Sequence, residues 1–93
     1  MDEFHKKLKQ YREEINRIDK NIVDSLNQRA KVVLAVKRLK EKEGVPLYDA
    51  KREEELVNNI VKYNQGPLYN DNIVQIFESI LRNVQILEKD ENL

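Results

Sequence analysis

Three ionisable residues stand where apolar side chains are due. Apolar residues recur in steps of three and four through Phe4, Leu8, Tyr11, Ile15, Ile18, Ile22 and Leu26, and the same stepping then meets Arg29 and, beyond Val33 and Val36, Lys40. Arg29 and Lys40 are eleven residues apart, which on a helix leaves them about 20° out of phase and about three turns apart on one face. Glu88 continues the line of Phe77, Leu81 and Val84 in the same way. Charges at such positions are costly to bury unless something pairs with them. Two readings follow: Glu88 makes a plain ion pair with Arg29 or Lys40, or these residues line a site for an ionic ligand. Arg52 and Glu53 come just after Asp49, where a helix start would add free N–H groups to an anion site. Read alone, Lys51 to Glu55 is an ordinary solvated first turn.

The chemistry open to this set is narrow. The chain has no Cys and a single His, His5, so it offers no thiol nucleophile, disulfide or metal cluster. It has no glycine-rich phosphate loop and no second carboxylate placed with Glu88 for acid–base work. A cleft with several cations and one carboxyl can still bind a small polyanion. It can also hold a charge-separated transition state by positioning and electrostatics.

The elements that must position these groups are helices. No Gly or Pro interrupts Phe4 to Glu43, so one helix is expected to run to Gly44. After Gly44-Val45-Pro46-Leu47-Tyr48, Asp49 reads as the N-cap of a second helix from Ala50 to about Tyr63, with Leu56, Val57, Ile60 and Val61 inward. Gln65-Gly66-Pro67 breaks it. A third helix starts near Asn70 or Asp71 and turns Ile73, Ile76, Phe77, Ile80, Leu81, Val84 and Leu87 inward, with Lys89 to Leu93 fraying. No stretch alternates with period two, so no strand is expected.

Ninety-three residues make one domain, 1–93. A helix of some 40 residues would span about 60 Å, against a radius of gyration near 12 Å for a compact chain of this size. The apolar seam therefore needs another chain, and a symmetric, intertwined homodimer is the simplest closed solution. Lys+Arg and Asp+Glu are 17 each, so no global field draws the protein to nucleic acid or to a membrane surface. The start lacks a signal-peptide pattern and no apolar run reaches about 18 residues, so a cytoplasmic location is expected.

Several spaced motifs together resemble one family. These are Arg12-Glu13-Glu14-Ile15-x-x-Ile18-Asp19, Asn27-Gln28-Arg29-Ala30, Val36-Lys37-x-x-Lys40, Gly44-Val45-Pro46-Leu47-Tyr48-Asp49, Arg52-Glu53 and Ile76-Phe77-x-x-Ile80. Across nearly the whole chain they resemble the all-helical chorismate mutases. Asn58-Asn59-Ile60 and Gly66-Pro67 also resemble the mutase-like domain fused in some bacteria to the heptulosonate-phosphate synthase of the shikimate pathway.

The resemblance implies conversion of chorismate to prephenate by an intramolecular Claisen-type rearrangement, without a cofactor, in aromatic amino acid biosynthesis. It implies that Arg29 and Arg52 hold the substrate carboxylates and that Arg12 reaches in from the partner subunit. By the same likeness Lys40 meets a carboxylate and the ether oxygen, while Asp49, through its backbone, and Glu53 bind the ring hydroxyl. A partner enzyme of the shikimate pathway is a further implication. Arg12 and Arg29 are seventeen residues apart, about 100° out of phase, so one helix does not easily aim both at one site, whereas a dimer does.

Two positions depart from the family pattern. Val84 stands where a small polar residue is common, and Glu88 stands where many members place Gln beside the ether oxygen. Glu88 then donates to that oxygen only while protonated. Two other functions fit the same cationic pocket: an isochorismate-pyruvate lyase, and a regulatory domain that binds chorismate or prephenate without turnover.

Overall fold

The computed structural model describes residues 2–90, and these form three helices in the order α1 (Glu3–Glu43), α2 (Ala50–Tyr63) and α3 (Asn70–Asp90). No described residue is in a strand. The fraying expected of the last residues lies partly outside the described ones, and α3 continues through Lys89 to Asp90.

Each helix end has a chemical cause. Asp2 opens α1: its Oδ1 accepts from the His5 backbone N–H at 2.9 Å and lies 2.7 Å from His5 Nδ1. Those bonds hold the Asp2 carboxyl below its ordinary range. At the other end Gly44 N–H donates to the Glu41 carbonyl at 3.2 Å and Val45 N–H to the Lys40 carbonyl at 2.9 Å. This paired closure requires a left-handed residue, and Gly44 has φ +68°. Asp49 caps α2 as its sequence position indicates, with Oδ1 accepting from Arg52 N–H at 3.0 Å. Asn64 ends α2 and shapes the next turn, its Nδ2 donating to the Leu68 carbonyl and to Asn70 Oδ1, both at 2.9 Å. Asn72 Oδ1 then accepts from Tyr69 N–H at 3.3 Å at the start of α3.

The chain divides into two compact units between Val32 and Val33, within α1. In the first unit the seam is bare: Phe4, Tyr11, Ile15, Ile18, Ile22 and Leu26 are all exposed, and Leu8 is half-buried. In the second, α2 packs on α3. Leu56, Val57, Ile60 and Val61 of α2 are half-buried, as are Ile73, Val74, Phe77, Ile80, Leu81 and Val84 of α3. Ile76 and Leu87, expected inward, are exposed. The apolar stripe of α3 is wider than the arc its neighbours within the chain cover.

No described hydrophobic residue is fully buried, and the one buried residue among those described is Lys37, 2% exposed. It displaces Val36, which is 43% exposed. A seam stepped at 3.5 residues drifts by about 20° per heptad from a straight helix of 3.6. By this part of α1 the drift has moved the covered line by one residue, to Val33, Leu34, Lys37 and Lys40.

Candidate functional site

The second unit gathers most of the residues singled out in the sequence. Lys40 is half-buried near the end of α1, and its ammonium donates to the Leu47 carbonyl at 3.2 Å. Since its own carbonyl takes the Val45 N–H, Lys40 ties down the α1–α2 connector twice. That connector delivers Asp49, whose Oδ1 caps α2 and whose carbonyl accepts from Glu53 N–H at 3.1 Å. The Asp49 side chain is thus engaged by the fold through Oδ1. Arg52, in the first turn of α2, is exposed. Glu53 is half-buried, and its Oε1 accepts from Gln85 Nε2 of α3 at 3.3 Å.

α3 brings its last turns to the same neighbourhood. Val84 and Glu88 are half-buried one turn apart on its covered face. Lys37 of α1 donates to the Glu88 backbone carbonyl and lies 3.6 Å from Glu41 Oε1. Lys40 follows Lys37 by three residues, so it rises from the next turn of the same helix. Sequence reasoning assigned no role to Lys37 or Gln85. A straight-helix stepping from Arg29 through Val33 reaches Lys37 and would have found it. Gln85 gives no such signal, because it lies beside the covered stripe.

Of the two readings of Glu88, the plain ion pair with Lys40 is not formed: among the described residues no ion pair involves Glu88, Lys40 or Arg52. In the first unit Arg29 is half-buried, and its Nη1 is shut off from solvent with no hydrogen-bond partner. A guanidinium nitrogen in that state is costly unless a ligand or another chain supplies an acceptor. Arg12, also in the first unit, is exposed. Seventeen helical residues separate it from Arg29, a rise of about 26 Å, so the two guanidinium groups of one chain do not meet on one small ligand.

The chemistry of this set is electrostatic. No group of His, Cys, Asp and Glu suited to a metal ion occurs among the described residues, and no described helix is long and apolar enough to cross a membrane. An open cleft lined by Ile60, Tyr63, Asn64, Gly66, Ile73 and Phe77 lies at the α2–α3 turn and shares no residue with the set. What the residues offer is the cations of Arg29, Lys40 and Arg52 and the half-buried carboxyls of Glu53 and Glu88.

Comparison with known proteins follows the same lines. The profile of the family described as chorismate mutase type II matches residues 11–89. The bifunctional chorismate mutase/prephenate dehydratase of Aquifex aeolicus is 34% identical over 86 residues, covering 88% of this chain and 24% of the relative. That of Buchnera aphidicola is 39% identical over 92 residues, covering 89% and 24%. The chain thus spans about a quarter of the length of these two relatives. Among solved structures, form II of chorismate mutase from Thermus thermophilus superposes with a TM-score of 0.86 at 31% identity, covering 89% of this chain and 94% of that one.

Proposed function

Because the chain belongs to the chorismate mutase type II family, we propose that it converts chorismate to prephenate in aromatic amino acid biosynthesis, as a cytoplasmic homodimer with two equivalent sites. The observation that carries this reading is the set of uncompensated charges. Arg29, Lys40, Arg52 and Glu88, the residues that this reading assigns to the substrate, make no ion pair among the described residues.

The reaction breaks the ether C–O bond of a dianion and forms a C–C bond within the same molecule. It needs no nucleophile or external proton. Its barrier falls when the flexible substrate is held in a chair-like shape and the growing charge on the ether oxygen is met by a donor already in place. Arg29 and Arg52 hold the two carboxylates as planar, two-pronged donors. Lys40 meets one carboxylate and the ether oxygen. The Asp49 N–H and Glu53 fix the ring hydroxyl, and Glu88 donates to the ether oxygen when it carries its proton. Val84 adds an apolar wall where a polar contact is absent.

A second copy supplies Arg12. Support comes from the bare seam of α1 and the absence of any fully buried hydrophobic residue among the described ones, since one chain leaves exposed the apolar surface that a partner helix would cover.

The test is to incubate the purified chain with chorismate and identify the product. Prephenate formed at the rate of chorismate loss supports the reading. Pyruvate release from isochorismate would assign a lyase instead, and tight prephenate binding without turnover a regulatory domain.

A further inference from the structure

We propose that Lys37 is a positioning residue for the rearrangement: by gripping the Glu88 carbonyl, it sets where the Glu88 side chain stands relative to Lys40. The inference rests on the mutase reading above.

Glu88 lies in the last described turn of α3, two residues before Asp90. A carboxyl carried on a turn that is free to shift is a poor donor to a small reacting centre. Here the turn is held from two sides. Lys37 bonds the Glu88 carbonyl from α1. Glu53 takes the Gln85 amide from α2.

The Lys37 ammonium also lies 3.6 Å from Glu41 Oε1, an i,i+4 pair within α1 that does not engage α3. The Lys37 side chain is 1% exposed, so it does not greet a ligand from solvent. As a purely stabilising element, a charge on the covered line of Val33 and Leu34 gains nothing over an apolar side chain of the same volume. What the ammonium adds is a fixed register between α1, which carries Lys40, and the turn that carries Glu88.

The test is a cycle of Lys37→Met, Glu88→Ala and the double variant. Each is assayed for kcat and KM separately, with circular dichroism to follow the helices. Lys37→Met should lower kcat about 10- to 100-fold, the scale of a misplacement near 1 Å, and leave KM within about twofold. In the Glu88→Ala background the same substitution should change kcat by less than about twofold, because nothing is left to position. Equal losses in both backgrounds, or an unchanged kcat, would overturn the proposal. If Lys37→Met loses its helical signal, Lys37→Leu, apolar and without a donor, runs the same cycle under the same criterion. A wild-type chain without mutase turnover overturns the functional reading and this proposal together, whereas additive losses in an active enzyme overturn the proposal alone.

Discussion

Replacing Lys40 by Ala separates two roles that one ammonium would combine. The structural role is the hydrogen bond to the Leu47 carbonyl at 3.2 Å. The closure of α1 is not at risk, because the bonds of Gly44 and Val45 are made by backbone groups. One exposed hydrogen bond contributes about 0.5–1.5 kcal/mol, which for a chain of this size lowers Tm by roughly 3–7 °C at fixed protein concentration. The proposed catalytic role is larger. A donor already aimed at developing oxyanion charge is worth about 3–4 kcal/mol, so kcat/KM should fall about 10²- to 10³-fold. Thermal melts read the first effect and the loss of chorismate absorbance reads the second. If Tm drops as stated while kcat/KM stays within about threefold of wild type, Lys40 only anchors the connector and the electrostatic mechanism fails.

Three other outcomes follow from the same geometry. Glu88→Gln installs a permanent N–H donor of nearly the same shape, so a pH series should show activity that rises on acidification in the parent and a flatter profile, higher at neutral pH, in the variant; unchanged profiles would place Glu88 outside the site. Asp49→Ala removes the cap on Arg52 N–H and should cost about 1 kcal/mol of stability by denaturant titration, while a loss under about 0.3 kcal/mol would mean the cap is idle. Ile18→Glu puts a charge on the bare seam and should shift the protein toward monomer by sedimentation, with activity lost in parallel; a fully active dimer would show that the seam is not the interface.

How much of this was legible beforehand depended on whether the signal was local. The limits of α1, α2 and α3 followed from Gly44, Asp49 and Gln65-Gly66-Pro67, since caps and breakers act within a few residues. The ionisable residues on apolar lines were also visible, because helical phase needs only counting. Lys37 was not, since a seam stepped at 3.5 residues points to Val36, and only the phase of a 3.6-residue helix turns Lys37 inward. Nor was the fate of Glu88, whose backbone carbonyl takes the Lys37 ammonium. Contacts between distant segments, such as Gln85 with Glu53, leave no periodic trace. The exposure of Ile76 and Leu87 shows the complementary limit: periodicity names an apolar face without saying which chain covers it.

The central claim is that each site draws cations from two copies of the chain, and subunit exchange between two inactive variants tests it most directly. Arg12→Ala and Arg29→Ala should each leave about 1% of wild-type kcat/KM or less, the scale of losing one charge-assisted contact to the reacting dianion. Mixed in equal amounts and allowed to exchange, about half of the dimers become heterodimers, and each of these has one site with both arginines and one with neither. The mixture should therefore recover about a quarter of wild-type activity, growing in at the rate of exchange measured by native mass spectrometry. Complete exchange with no gain in activity would contradict the account.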